Sequence, residues 1–123
     1  MTIERLRLGN SGEEIAGKFL EKSGYRIIAR NYRCKLGEID IIARDGETLV
    51  FFEVKTRTDS AFGSPAAAVT VRKQRQIGKA AQWYLAEHGL HEAPARFDVI
   101  AIVRGKGGRH QVEHLPDAFE LCE

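Results

Sequence analysis

The sequence predicts an α/β domain: a mixed β-sheet flanked by helices in the order α-β-β-β-α-β-β. Three observations carry this. Two segments repeat apolar residues at helical spacing. Three strand-like segments follow one another between them. The segment Phe97–Val103 is apolar at nearly every position, as a strand covered on both faces would be. The chain has 123 residues, 43% of them hydrophobic. That is one core's worth, so a single domain over 1–123 is expected, with 1–10 and about 116–123 as peripheral tails.

The first helix is expected from Ser11 to Ser23. Ser11 and Glu14 fit a capping box, Ile15, Ala16, Phe19 and Leu20 form the apolar stripe, and Gly24 is placed to stop it. Strands are expected over Tyr25–Tyr32, Glu38–Ala43 and Thr48–Thr56, with Asp45-Gly46 as the turn of a hairpin. Thr58–Gly63 reads as a polar loop, and Ser64-Pro65 opens helical sequence. An amphipathic helix then runs from Val71 to His88 and ends at Gly89. Strands over Arg96–Arg104 and Arg109–Leu115 complete the chain. Trp83 and Tyr84 are expected to pack, and His88, His91, His110 and His114 to lie on the surface.

Lysine and arginine total 19 against 17 aspartates and glutamates, a net charge of +2. This excludes a strongly basic tail-like nucleic-acid protein but not local patches of one sign. No apolar run reaches the length of a bilayer span, and the charged start Met1–Arg7 has no secretory apolar core. Cys34 and Cys122 sit in no paired-cysteine motif, so free thiols and a cytoplasmic setting are expected.

The acidic hairpin is the most informative stretch. A two-residue loop at Asp45-Gly46 pairs Arg44 with Glu47, which sets Asp40 opposite Phe51 and Glu38 opposite Glu53. Glu38, Asp40, Glu53 and Lys55 then share one face, with Asp40 and Glu53 diagonal neighbours. Facing carboxylates repel, and a divalent cation would compensate. The same pattern also fits a solvated face of cross-strand ion pairs. Against that, Glu53 ends the apolar run Leu49–Phe52, and Asp40 is flanked by Ile39, Ile41 and Ile42. Charges entering such strands need a partner.

Asp40 followed by Glu53-Val54-Lys55 resembles the PD-(D/E)xK signature of restriction-endonuclease-like nucleases, with Ile39 where proline often stands. The fuller resemblance is to the YraN-like family, related to Holliday-junction resolvases. It runs through Gly12-Glu13, Gly24-Tyr25, Asn31-Tyr32-Arg33, Gly37–Asp40, Phe52–Arg57, Gly63, Lys73, Ala80-Ala81 and Arg96–Val99. The resemblance implies a restriction-endonuclease-like core and a Mg²⁺-dependent endonuclease, for which Mn²⁺ can substitute. It implies Asp40, Glu53 and the Val54 carbonyl as metal ligands and Lys55 as the catalytic lysine. It also implies a catalytic glutamate on the first helix, matching Glu13. The helical wheel agrees, because Glu13 sits at the edge of the apolar stripe while Glu14 points away.

Basic residues cluster at Arg26, Arg30, Arg33 and Lys35, at Arg72, Lys73, Arg75 and Lys79, and at Arg104, Lys106, Arg109 and His110. Arg33, Lys35, Arg57 and Lys73 are the expected phosphate contacts for DNA, including branched DNA. Symmetric homodimerisation would supply a second site to a two-fold substrate. The rival expectation is a non-catalytic nuclease fold that binds DNA or protein. RNA is not separated from DNA by the motif. Asp98 fits either catalysis or a buried structural carboxylate held by backbone and arginine hydrogen bonds.

Overall fold

A computed structural model describes residues 3–57, 69–105, 107 and 109–120, with side chains from residue 12 onward. The elements are α1 (Ile3–Lys22), β1 (Arg26–Cys34), β2 (Gly37–Asp45), β3 (Thr48–Arg57), α2 (Val71–Glu87), β4 (Ala95–Arg104) and β5 (His110–Phe119). Their order is the expected one. The five strands form one sheet in the order β1-β2-β3-β4-β5. Neighbours are antiparallel except β3 and β4, whose parallel pairing requires the crossover that α2 provides. The expected loop at Thr58–Gly63, the helical opening at Ser64-Pro65, and Cys122 lie outside the described residues.

The helices cover opposite faces of the sheet. Ala16 and Leu20 of α1 bury Ile41, Ala43, Val50, Phe52, Ile100 and Ile102. Ile77, Ala80, Ala81 and Tyr84 of α2 bury Ile39, Ile42, Leu49, Phe51, Phe97 and Val99. Each fully buried Phe, Ile or Leu contributes about 1.5–3 kcal/mol, so the sheet and both helices depend on one another. The double coverage explains why β3 and β4 read as apolar runs without alternation. At Gly37 the α2 backbone comes so close that a Cβ would lie 2.7 Å from the Gln76 carbonyl oxygen, which only glycine permits.

Several boundaries differ from expectation. The helix α1 begins at Ile3, so Ser11 and Glu14 lie inside it and not at its start. Strong helix formers in Glu4–Leu8 carry the helix through the weaker Gly9–Gly12 stretch. The strand β5 continues past Pro116 to Phe119. Proline is tolerated there because β5 is an edge strand and pairs on one side only.

The hairpin turn is also displaced. Asp45 pairs with Thr48, leaving Gly46-Glu47 as the central residues, two positions from the expected register. Gly46 has φ +61°, while Glu47 is not left-handed. Glycine at the first central position, alone in positive φ, is the requirement of a II′ turn rather than the I′ turn expected from Asp-Gly.

Asp98 is fully buried on β4. Its carboxylate accepts from Arg96 Nε at 3.0 Å and Nη2 at 3.1 Å, and from the Asp117 N–H at 2.9 Å. His114 Nε2 lies 2.6 Å from it. Asp117 has φ +52°, and the β4–β5 register shifts between Phe97 and Val99, so this carboxylate ties the irregular end of β5 to β4. Of the two roles open to Asp98 in the sequence, these contacts are those of the structural one. His114 is a correction: its ring packs against Phe52 and Tyr25, at 5.6 and 5.7 Å between centroids, rather than lying on the surface. Truncation of Asp98 would take the buried acceptor from the Asp117 N–H and leave the Arg96 guanidinium only Asp45 and the Tyr25 hydroxyl. Asp98→Ala is therefore expected to lower unfolding free energy by about 3–5 kcal/mol, read from chemical denaturation midpoints.

Candidate active site

The β2–β3 ladder stops short of the hairpin's open end. Its last pair is Ile41 with Phe52. Continued at the same register, it would set Asp40 opposite Glu53 and Ile39 opposite Val54. Instead the Val54 N–H donates to Asp40 Oδ2 at 2.8 Å. A side chain has replaced a ladder bond, and the two strands part there. The N–H and C=O of one strand residue project to the same edge. The Val54 carbonyl therefore turns toward the same opened edge as Asp40.

The neighbouring strands show why the sheet opens at this point. Ile39 and Ile42, three residues apart, both pack on the α2 side, as do Ala29 and Tyr32 on β1. Strict alternation would send each pair to opposite faces. The pleat therefore breaks in β1 and β2 together, at Asn31 and Asp40, which fall opposite each other between the pairs Arg30↔Ile41 and Tyr32↔Ile39. Asn31 has φ +51°, a conformation that asparagine tolerates better than any bulky residue.

Side chains from four elements meet at the opening. Glu53 is 5% exposed, and its Oε1 lies 3.3 Å from Lys55 Nζ and 4.0 Å from Lys73 Nζ of α2. Glu13 comes from α1, half-buried, and the Asn31 side chain favours its charged form. Burial raises the pKa of Glu53, Asp40 adds to the rise, and Lys73 and Lys55 oppose it. Burial likewise raises Asp40; the Val54 N–H opposes that rise and Glu38 adds to it. Burial raises Glu13 too, with a further contribution from Asp40. Three carboxyls that burial makes harder to ionise thus share the opening with two lysines.

The remaining expected residues lie around this centre. Arg33, Lys35, Glu38, Lys73 and Gln76 line one open groove of about 380 Å³. Arg33 is ion-paired to Glu38 at 3.3 Å. Arg57 closes β3, two residues beyond Lys55. The expected opposition of Glu38 to Glu53 is not found: the turn shift moves Glu38 level with Lys55, and Glu38 turns to Arg33. Asn31 was missed by sequence reasoning. The available signal was an asparagine inside a strand, where the left-handed conformation explains its use.

Among the described residues, no group of three or more His, Cys, Asp and Glu side chains is gathered tightly enough to hold an ion unaided. No helix among them is long and apolar enough to cross a membrane. Residues 12–102 match the model of a family described as uncharacterised protein family UPF0102. The chain belongs to the UPF0102 family. Its UPF0102 relatives include a protein of Pelobacter propionicus, 59% identical over 93% of this chain and 83% of the relative. Another, from Geotalea uraniireducens, is 56% identical over 94% of this chain and 91% of the relative. A third, from Geobacter metallireducens, is 53% identical over 99% of both chains. The UPF0102 match spans Glu13, Asp40, Glu53, Lys55 and Lys73, all the residues that meet at the opening.

The raised carboxyls make stability depend on pH in a defined direction. A carboxyl that binds its proton more tightly when folded favours folding while protonated. Stability falls as pH rises from the ordinary carboxylate value through the raised one. Asp40→Asn keeps an oxygen for the Val54 N–H and removes one of the like charges. Without divalent ions it is expected to stabilise the protein at pH 8 by about 1 kcal/mol. That gain should vanish below pH of about 4, where the wild-type carboxyl is itself neutral. Thermal melts of both proteins across pH measure it.

Proposed function

We propose that this UPF0102 protein is a metal-dependent nuclease that hydrolyses DNA phosphodiester bonds, including those of branched or recombination intermediates, on a restriction-endonuclease-like core. The observation that carries the reading is the opening of the β2–β3 ladder. It brings two repelling carboxylates, a backbone carbonyl edge and two lysines to one point. The PD-(D/E)xK resemblance of Asp40 and Glu53-Val54-Lys55 supports the same reading.

The donor set fits Mg²⁺ or Mn²⁺. Magnesium is commonly held by one or two carboxylates together with waters and substrate phosphates rather than by a full protein cage. Asp40, Glu53 and the Val54 carbonyl would hold it, and a cation would offset the mutual repulsion of the two carboxylates. When bound, such an ion supplies positive charge to the phosphate and acidifies water.

The chain's own groups supply the rest. Lys55 presents an ammonium beside Glu53, placed to hold water in line and to stabilise the charge that develops on the phosphate. Lys73 brings a second cation from the opposite layer. Glu13, with its raised pKa, is suited to accept a proton near the attacking water. Arg33 and Lys35 border the groove through which the phosphate backbone would pass, and Arg57 continues it along β3.

Incubation with branched, nicked and linear DNA in Mg²⁺ or Mn²⁺ is expected to show cleavage. Asp40→Asn, Glu53→Gln and Lys55→Met should each reduce it by about 100-fold or more, a few kcal/mol of barrier. Titration calorimetry should show Mn²⁺ binding that weakens in Glu53→Gln. Cleavage that persists in all three variants would remove the nuclease reading.

A further inference from the structure

The outer face of α2 is cationic and aromatic, and neither the fold nor the proposed site uses it. At helical spacing Arg72, Arg75, Lys79 and Trp83 share the side opposite the buried Ile77, Ala81 and Tyr84. All four are exposed, and Trp83 is 47% exposed, contrary to its expected packing role. No aspartate or glutamate occurs from Val71 to Ala86. None of the ion pairs among the described residues involves Arg72, Arg75 or Lys79, whereas Arg30, Arg33, Lys55, Lys73 and Arg96 are all paired. Arg72 and Arg75 also lie near the positive end of the helix dipole, where cations are unfavourable and acids would stabilise. No acid among the described residues balances these charges, which leaves the face open to an anionic partner.

The stripe is continuous with the candidate groove. Gln76, which flanks Arg72 on the wheel on the side toward Lys73, lines that groove together with Lys73. From Arg72 to Trp83 the stripe runs about 16 Å, a span of several phosphates. Phosphate contacts need only cations. The tryptophan adds a flat apolar face, which base stacking uses when a base is unpaired and a closed duplex hides.

We infer that the outer face of α2 is a DNA-binding track in which Arg72, Arg75 and Lys79 follow the phosphate backbone and Trp83 stacks on an unpaired base at a branch or single-stranded junction. The inference deepens the nuclease reading by naming the substrate shape, and it rests on that reading for its choice of DNA.

Binding is measured in EDTA, so that cleavage plays no part. The two probes are a fluorescent branched DNA with unpaired bases and a fully paired duplex of the same length, its ends closed by non-nucleotide linkers. The triple variant Arg72→Ala, Arg75→Ala, Lys79→Ala is expected to bind both at least 10-fold more weakly. Its slope of log K against log salt should be smaller by about 2–3, as for three lost phosphate contacts. The charge-keeping variant Arg72→Lys, Arg75→Lys should retain most of the binding. Trp83 is the chain's one tryptophan, so intrinsic fluorescence reports on it alone. Branched DNA should quench it, closed duplex should not, and Trp83→Ala should lose the preference for the branched probe.

Unchanged affinity and salt slope in the triple variant would overturn the track. Equal quenching by both probes, or quenching by neither, would overturn the stacking role. Cleavage assays separate the two readings. Track-dependent binding by a protein that cleaves nothing strikes only the nuclease reading, and cleavage with binding indifferent to α2 strikes only this one.

Discussion

One hydrogen bond organises the candidate site: the Val54 N–H donating to the Asp40 carboxylate. A backbone donor in the middle of a sheet must be satisfied, normally by the neighbouring strand. Here a side chain satisfies it. The strands can then part without leaving a buried amide orphaned. The same bond fixes the orientation of Asp40 and brings its charge against Glu53. It also turns the Val54 carbonyl toward the gap. Without it, β2 and β3 would either zip closed over the site or leave an unpaired amide at a cost of about 1–3 kcal/mol.

The opening is tolerable because both faces of the sheet are covered by well-packed helices. The core on each side depends on residues N-terminal to the break in β3, chiefly Phe51 for α2 and Phe52 for α1. The parallel β3–β4 ladder runs on through Arg57, so β3 stays anchored on its other edge. The gap can therefore take Glu13 from one layer and Lys73 from the other. The Asp98 cluster does a related task away from this gap. There a buried carboxylate, with donors from Arg96 and Asp117, holds an irregular strand end in register. In one case the carboxylate is almost surrounded by donors. In the other, like charges crowd it. That contrast separates a structural carboxylate from one suited to bind a cation.

Much of the fold was legible because its signals are local. Apolar periodicity marked α2, and an apolar run broken only by Asp98 marked β4 as an interior strand. Gly89 marked a helix end. The errors came where local signals compete. Ser11 and Glu14 have the chemistry of a cap, but the good helix formers before them extend α1 to Ile3. Asp45-Gly46 has the chemistry of one turn, while strand pairing selects another around Gly46. The two-residue shift preserved the proximity of Asp40 and Glu53 because the side-chain period of a strand is two. His114 and Trp83 exchanged their expected places. A histidine beside a buried carboxylate and a tryptophan on the outer side of a helix are both decided by partners distant in sequence.

By itself the sequence determined the element order, the mixed sheet, and the presence of Asp40, Glu53 and Lys55 at a spacing that allows them to meet. These follow from periodicity and turn chemistry, which act over a few residues. Only the tertiary structure decided that the strands part at Asp40, that Asn31 turns left-handed beside it, and that Glu13 and Lys73 arrive from opposite layers. It also decided that the outer face of α2 has no partner among the described residues. Each of these depends on contacts between segments far apart in the chain. Their energies arise once the core has closed and set which backbone groups and charges face one another.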